Sequence, residues 1–277
     1  MDFSFARQQF YYEINQPDDQ IDLAKASLYI ALEEYPDLEV DAYVNALDTM
    51  ADDVRDRLPA ESYPLRIIQV LNQYLFTDLT FSGNAEDYYD PDNSYLNRVI
   101  ERRTGIPITL SLIYLEVSKR INFPMVGIGM PGHFLVRPDH GEIEVCVDPF
   151  HNGEILFIQD CEERIQSLFN GNVTFQPEFL DPVSNKQFLA RMLSNLKMIY
   201  LNQGRMNSVL AAIDRILMLF PDTPNEQRDR GLIYYQAGRW VEARQDLENY
   251  LLCLPQARDA DLVKQLLNRI QTGSQSD

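Results

Sequence analysis

The sequence predicts an α+β fold that is mostly helical, with an antiparallel sheet in the middle of the chain. The first third repeats apolar residues at helical spacing, for example in "DQIDLAKASLYIALEEYP". After Asn122 the pattern changes to short alternating runs that are typical of strands. The last third contains two 22-residue segments whose matching residues lie 34 positions apart. A repeat of helical segments predicts a separate helical module after the sheet.

The composition indicates a globular, acidic protein. With 277 residues and 45% hydrophobic side chains, the chain is long enough to bury a full core. Its net charge is −18, and residues 1–97 carry 20 acidic and five basic residues, a net charge of −15. A field of this sign repels phosphate groups, so we expect no broad nucleic-acid binding.

The start of the sequence, "MDFSFARQQFYYEINQPDDQ", lacks the basic segment and apolar run of a secretory signal. No stretch approaches about 18 uninterrupted apolar residues, so we expect a cytoplasmic protein that does not associate with membranes. The cysteines show no CxxC spacing, which predicts free thiols and argues against disulfides or a structural zinc site. They are Cys146, Cys161 and Cys253.

Residues 1–97 are predicted to form an acidic helical region. A first helical run is stopped by Pro36, and "VDAYVNALDTMADDVRDRL" ends before Pro59. The run "PLRIIQVLNQYLFTDL" begins at Pro64, because proline is tolerated in the first turn of a helix. The following stretch, "TFSGNAEDYYDPDNSYL", breaks the periodicity and predicts a structured loop.

Residues 98–165 are predicted to form one helix followed by an antiparallel sheet, with a connecting segment at 166–189. Gly105 and Pro107 mark the start of the helix, which has a buried stripe on one face. The predicted strands are "PMVGIGM", "HFLVR" and "EIEVCVD", and the tetrapeptide "PDHG" joins the last two.

The 34-residue period resembles the tetratricopeptide repeat. "YLNQGRMNSVLAAIDRILMLFP" and "YYQAGRWVEARQDLENYLLCLP" align without a gap, with glycine between two helices and proline closing the second. Residues 190–272 are predicted to hold two repeats and a capping helix, "DADLVKQLLNRIQ", with a flexible tail at 273–277. This module either docks a protein or peptide partner or only completes a core. The predicted partner-binding residues are Tyr200, Arg205, Tyr234 and Arg239.

The middle of the chain resembles the transglutaminase-like, papain-related superfamily. From Gly105 to Pro124 it is similar to the helix that carries that family's nucleophilic cysteine, His133 opens a strand as the family histidine does, and Asp148 in "VDPF" matches its aspartate. A cysteine at a helix N-terminus is activated by backbone N–H groups and by the histidine. The gapless match places Pro107 at the cysteine position, and proline has no nucleophilic atom.

The segments "NSYLNRVIERRTGIPITLSLIY", "PGHFLVR" and "DPF" resemble the SirB-type proteins more closely. In this branch a divergent transglutaminase-like core is followed by tetratricopeptide repeats, and the order of modules agrees with this sequence. The resemblance implies the fold and the module order, and it does not supply a reaction. Members are generally described as regulatory or uncharacterised, and a related core occurs in a eukaryotic F-box protein.

Other nucleophiles are considered on the residues themselves. Hydroxyls such as those of Thr109 and Ser111, in the first turns of a helix, more often cap it than attack a substrate. If the turn pairs Arg137 with Glu142, then Cys146 lies opposite His133 and shares a face with Asp148. This register gives a relocated cysteine, base and orienting acid. Otherwise Cys146 is a small core residue, and His133 with Asp148 is a buried hydrogen-bonded pair.

The histidines predict no metal site, because His133, His140 and His151 lack metal-ligand spacing. We therefore expect no metal and no cofactor. The sequence favours a non-catalytic regulatory or adaptor protein that binds a partner through its repeats. The alternatives are an active cysteine-dependent amidase, peptidase or acyltransferase, and a structural subunit that assembles through the repeats. The oligomeric state stays open.

Overall fold

The computed structural model describes residues 4–60, 63–139 and 145–273. The chain divides into two compact units, residues 1–192 and 193–277, and the boundary lies within one long helix. The predicted fold class is confirmed, because the described residues are mostly helical with a small antiparallel sheet. The predicted domain bounds place the second module slightly earlier, at residue 190.

The described helices are α1 (Phe5–Ile14), α2 (Leu23–Ala31), α3 (Val40–Arg55), α4 (Pro64–Asn72), α5 (Leu96–Arg102), α6 (Pro107–Arg120), α7 (Ile158–Leu168), α8 (Asn185–Asn202), α9 (Met206–Leu219), α10 (Pro224–Gln236), α11 (Trp240–Cys253) and α12 (Ala260–Gly273). The described strands are β1 (Ser82–Gly83), β2 (Thr104–Gly105), β3 (Met125–Ile128), β4 (Leu135–Pro138), β5 (Cys146–Asp148) and β6 (Glu154–Leu156).

Helix α6 lies at the centre of the first unit. It begins at Pro107 as predicted, but it is buried on all sides from Pro107 to Ser118, whereas the sequence predicted one buried stripe. A helix surrounded by other elements needs apolar or satisfied residues around its whole circumference. Its contacts include α2, α3 and α5, together with strands β3 and β4. The Tyr114 hydroxyl donates to Asn72 Oδ1 at 3.0 Å, which satisfies a polar atom of this core.

The four-stranded sheet has the order β3-β4-β5-β6, and each neighbouring pair is antiparallel. The predicted register of β4 and β5 is wrong. Val136 pairs with Val147, which places Arg137 opposite Cys146 and moves His133 beyond the paired residues. Glu142, the predicted partner of Arg137, lies outside the described residues.

The second unit contains two helical hairpins and a final helix. Gly204 and Gly238 have φ values of +70° and +72° at the turns of the two hairpins. At each turn the arginine after the glycine donates its backbone N–H to a tyrosine carbonyl 2.9 Å away, in the pairs Arg205 to Tyr200 and Arg239 to Tyr234. Glycine is suited to this left-handed conformation because it has no Cβ. Helix α12 packs on α11 around a cluster that includes Tyr250.

Candidate functional site

The N-terminus of α6 holds Pro107 at the first helical position, where a missing N–H costs no hydrogen bond. Thr109 closes the turn, because the backbone N–H of Ile106 donates to its Oγ1 at 3.1 Å. The Thr109 hydroxyl in turn donates to the Asn93 carbonyl at 2.7 Å. Thr109 and Ser111 are both fully buried. The helix start is therefore a capped structural element whose first residue has no reactive atom.

Asp148 is the centre of the site. It is the last residue of β5 and is 0% exposed. Its Oδ1 accepts the backbone N–H groups of Phe150 at 3.0 Å and His151 at 3.3 Å, and so caps the short 3₁₀ turn Pro149–His151. This capping fixes the carboxylate and leaves Oδ2 directed at the surrounding side chains.

His133 and Asp148 form the predicted buried pair. His133 Nε2 lies 2.8 Å from Asp148 Oδ2, and the histidine is 7% exposed. His133 precedes β4 by two residues, so the prediction that it opens the strand is wrong. Its backbone is held instead by a turn, in which its N–H donates to the Met130 carbonyl at 3.1 Å, and by Arg191, which donates to its carbonyl at 2.8 Å. With Nε2 bonded to the acid, Nδ1 is the remaining ring nitrogen.

Two residues of the site were missed by sequence reasoning. His151 Nδ1 lies 2.7 Å from the same Oδ2, and Arg164 on α7 also donates to that oxygen. Arg164 Nη2 makes a second ion pair with Glu154 Oε2 at 2.7 Å. The spacing of His151, three residues after Asp148, is a signal for an aspartate-capped turn. No comparable signal marks Arg164, because it comes from a separate helix.

The protonation of Asp148 follows from these contacts. Burial alone would raise the pKa of its carboxyl, but hydrogen bonds and charge interactions with His133 and His151 outweigh burial and hold the pKa below its ordinary value. The carboxylate is thus ionised at neutral pH and orients the imidazole of His133, as the acid of a catalytic triad does.

Cys146 lies in an apolar cluster of the sheet with Ile128, Met130 and Leu135, and it is 5% exposed. Its thiol interacts with the thiol of Cys161, which lowers the pKa of Cys146, while the same contact and burial raise the pKa of Cys161. Among the described residues, Cys146 makes no hydrogen bond to His133. The structure brings His133 and Asp148 together and places Cys146 in a different environment.

The four residues predicted to bind a partner pair within the two turns of the repeat module. The Arg205 guanidinium lies 4.5 Å from the Tyr200 ring centroid, and the Arg239 guanidinium lies 4.2 Å from that of Tyr234. Tyr200 is 2% exposed, whereas both arginines are exposed. Each tyrosine ring packs against its arginine, with Tyr200 buried and Tyr234 half-buried.

The donor atoms of His133, Asp148 and His151 all lie within 4.8 Å of one another, so these three residues could hold a metal ion. In the described part of the chain, no helix is both long enough and apolar enough to span a membrane.

Comparisons with known proteins agree with this architecture. The family model of the transglutaminase-like superfamily matches residues 41–194, and that of the tetratricopeptide repeat matches residues 196–268. A UPF0162 protein of Xylella fastidiosa is 39% identical over 264 residues, which cover 92% of this chain and 94% of that protein. A UPF0162 protein of Vibrio cholerae is 32% identical over 200 residues, covering 70% and 72% of the two chains.

A eukaryotic relative shares part of the chain. The F-box only protein 21 of Homo sapiens is 30% identical over 188 residues, which cover 64% of this chain and 29% of that protein. No solved structure matches the chain. The chain belongs to the transglutaminase-like superfamily, in the SirB-type branch with the UPF0162 proteins, where the core is followed by tetratricopeptide repeats.

Proposed function

We propose that this protein is a non-catalytic, cytoplasmic regulatory or adaptor protein that keeps a transglutaminase-like fold and binds a protein partner through its repeats. The observation that carries the proposal is Pro107 at the first position of α6. This position resembles that of the family's cysteine, while the His133–Asp148 pair is retained with a 2.8 Å contact. A base with its orienting acid but without a nucleophile is a pseudoenzyme site.

The alternative of an active cysteine enzyme requires another thiol beside His133. Cys146 is the nearest candidate in the sequence, and its described contacts are with Cys161 and apolar side chains. A buried strand cysteine also lacks the helix N-terminus that stabilises a thiolate in this superfamily. No specific observation favours the enzyme alternative, so the adaptor role is the proposal.

The exposed surface of the second hairpin supports the binding role. Arg239 precedes Trp240 and Val241, and Val241 is 79% exposed. An arginine beside an exposed aromatic and an exposed aliphatic side chain is the composition found at the centre of many protein interfaces. The repeat places Arg205 at the equivalent position of the first hairpin.

The catalytic part of the proposal is tested by restoring the nucleophile. Pro107→Cys is compared with the wild-type protein for iodoacetamide alkylation across pH and for hydrolysis of activated esters and amides. We expect a new reactive thiol with a pKa below about 8.5 in Pro107→Cys, weakened by His133→Ala, and no turnover in the wild type. A wild-type protein that hydrolyses these substrates, with activity lost in His133→Ala, contradicts the pseudoenzyme assignment.

The binding part is tested by photo-crosslinking from position 241 in an extract of the producing organism. The expected result is one cross-linked protein that disappears in the Arg239→Glu variant, survives in His133→Ala, and binds the purified chain directly. Arg244→Glu is the matched control, because Arg244 is an exposed arginine on α11, the helix that follows Arg239, and is paired with Glu248 at 2.8 Å. Equal loss in Arg239→Glu and Arg244→Glu indicates a nonspecific charge effect and contradicts a defined surface at the hairpin turn.

A further inference from the structure

We propose that His133, Asp148 and His151 form a binding site for a divalent transition metal ion such as Zn²⁺. Two imidazole nitrogens and one carboxylate oxygen are a donor set suited to such ions, which bind nitrogen and oxygen ligands at about 2.1 Å. This site is distinct from the repeat surface, so it stands or falls independently of the adaptor role.

The geometry of the three donors carries the inference. His133 Nε2 and His151 Nδ1 both lie beside the same oxygen, Asp148 Oδ2, at 2.8 Å and 2.7 Å. All three donor atoms lie within 4.8 Å of one another. Ligands of one tetrahedral ion are about 3.4 Å apart, so small side-chain shifts convert this cluster into three ligands of one ion. The two imidazole rings lie side by side, tilted by 34° to each other with centroids 5.6 Å apart.

The orientation of the Asp148 carboxylate is fixed by its neighbours. Asp148 Oδ1 is fixed by the backbone N–H groups of Phe150 and His151, and such second contacts orient a metal ligand. His151 is exposed while His133 and Asp148 are buried, so an ion can enter from the side of His151. Three protein ligands leave one coordination position open to water or to a partner's side chain.

Arg164 occupies the position of a cation in this cluster. Its Nη1 contacts Asp148 Oδ2 and lies 3.4 Å from His151 Nδ1. The same guanidinium holds Glu154 Oε2 through Nη2 at 2.7 Å, so it keeps an ion-pair partner when it leaves the aspartate. A metal ion therefore replaces one positive charge with another at Asp148 Oδ2. This competition predicts that removing the arginine charge strengthens metal binding.

The test uses the full-length, untagged, metal-free protein carrying Cys253→Ser, because Cys253 is exposed and could bind metal by itself. Zn²⁺ affinity is measured by competition with a chromogenic chelator, and Co²⁺ binding by its visible absorption spectrum. We expect one site per chain. His151→Ala and His133→Ala should each weaken Zn²⁺ binding at least about 100-fold, and Arg164→Gln should tighten it about tenfold.

Asp261→Asn is the matched control for surface carboxylates, because Asp261 lies exposed on α12, and it should leave the Zn²⁺ affinity unchanged. The His151→Ala variant keeps the test decisive even where His133→Ala fails to fold, since His151 is exposed. The proposal is overturned if neither the parent protein nor Arg164→Gln binds Zn²⁺ or Co²⁺. It is also overturned if His151→Ala binds Zn²⁺ as tightly as its parent, which indicates adventitious surface binding.

Discussion

At the scale of single residues, Asp148 joins several parts of the first unit through the hydrogen bonds of its carboxylate. Its two oxygens accept from two backbone N–H groups, two imidazole rings and one guanidinium. These groups come from three different elements, namely the turn before β4, the short 3₁₀ turn after β5 and helix α7. A buried carboxylate with charged partners is costly to remove singly, because its partners are then left without a counter-charge.

We predict that Asp148→Asn lowers the free energy of unfolding by about 3 kcal/mol at pH 7. The pKa of Asp148 is lowered in the folded state, so its contribution is present above the unfolded value of about 3.9 and is lost as pH falls through the folded pKa. The difference between wild type and variant, measured by urea unfolding at several pH values, should therefore be constant near neutrality and shrink in acid.

Glu154→Gln is the control for this measurement, because Glu154 pairs with the same arginine from an exposed position. It should change stability by less than about 1 kcal/mol. A wild-type-minus-variant difference for Asp148→Asn that stays constant into strong acid contradicts the assignment of the effect to the ionised carboxylate.

We predict that the three thiols differ in reactivity. Cys253 is exposed, whereas Cys146 and Cys161 are buried in one apolar cluster. Iodoacetamide labelling of the native wild-type protein, followed by peptide mass spectrometry, should modify Cys253 first and leave the other two protected until unfolding. Rapid labelling of Cys146 that slows in His133→Ala gives the opposite answer and restores the relocated-nucleophile hypothesis.

Part of the site could be predicted from the sequence and part could not. The pairing of His133 with Asp148 was expected from the resemblance to the transglutaminase-like superfamily, and the two side chains are in contact in the structure although the predicted strand register is wrong. The contribution of Arg164 depends on the direction in which α7 packs, which no local pattern encodes. The environment of Cys146 depends on strand register, and a shift of register changes every cross-strand neighbour.

At the scale of elements, the two helical hairpins end their first helices in the same way. Each has a glycine with positive φ, followed by an arginine whose N–H returns to a tyrosine carbonyl and whose guanidinium covers that tyrosine's ring. The backbone hydrogen bond and the stacked side chains therefore stabilise the same turn. The repeat period was predictable from the sequence because this turn needs glycine at a fixed position.

We predict that Gly238→Ala destabilises the second unit by about 1 kcal/mol, because Ala must adopt φ near +72°. Urea unfolding followed by circular dichroism measures the effect. Gln236→Ala is the control at an exposed helix end two residues earlier, and it should stay within about 0.5 kcal/mol of wild type. A Gly238→Ala variant as stable as the control contradicts a structural role for the left-handed turn.

The sheet shows which strands can be predicted from the hydrophobic pattern of the sequence and which cannot. The existence of β3, β4 and β5 follows from alternating apolar residues, and all three are present. The short strand β6 was not predicted separately, because "GEILF" is too short to show a reliable alternation, and helix α7 was not predicted separately either. Helix α6 shows the opposite difficulty, since a helix buried on all sides has no polar face to reveal its orientation.

At the scale of the whole molecule, the charge distribution sets which partners can approach. The net charge is −18, and the first 97 residues contribute most of it. An excess of exposed negative charge makes the electrostatic potential around the protein negative, and this potential acts on partners over about 10 Å at moderate salt. A basic or neutral protein surface is thus favoured over a polyanion.

We predict that the protein does not bind duplex DNA. Anisotropy of a fluorescent duplex of about 30 base pairs should not change with up to about 10 μM protein at low salt, because the field repels phosphates. A salt-sensitive increase in anisotropy is the result that contradicts this expectation. Bovine serum albumin, another acidic protein, serves as the negative control, and a basic DNA-binding protein shows that the assay responds.

The matching turns of the hairpins also bear on how this chain can change in length. Because Arg205 and Arg239 close their turns through the same backbone bonds, residues 205–238 begin and end at equivalent joints. Duplicating that segment joins one such turn to another without a new kind of junction, since each repeat contacts mainly its neighbours. The second unit is therefore extensible in steps of 34 residues, so gene duplication can change the number of hairpins it contains.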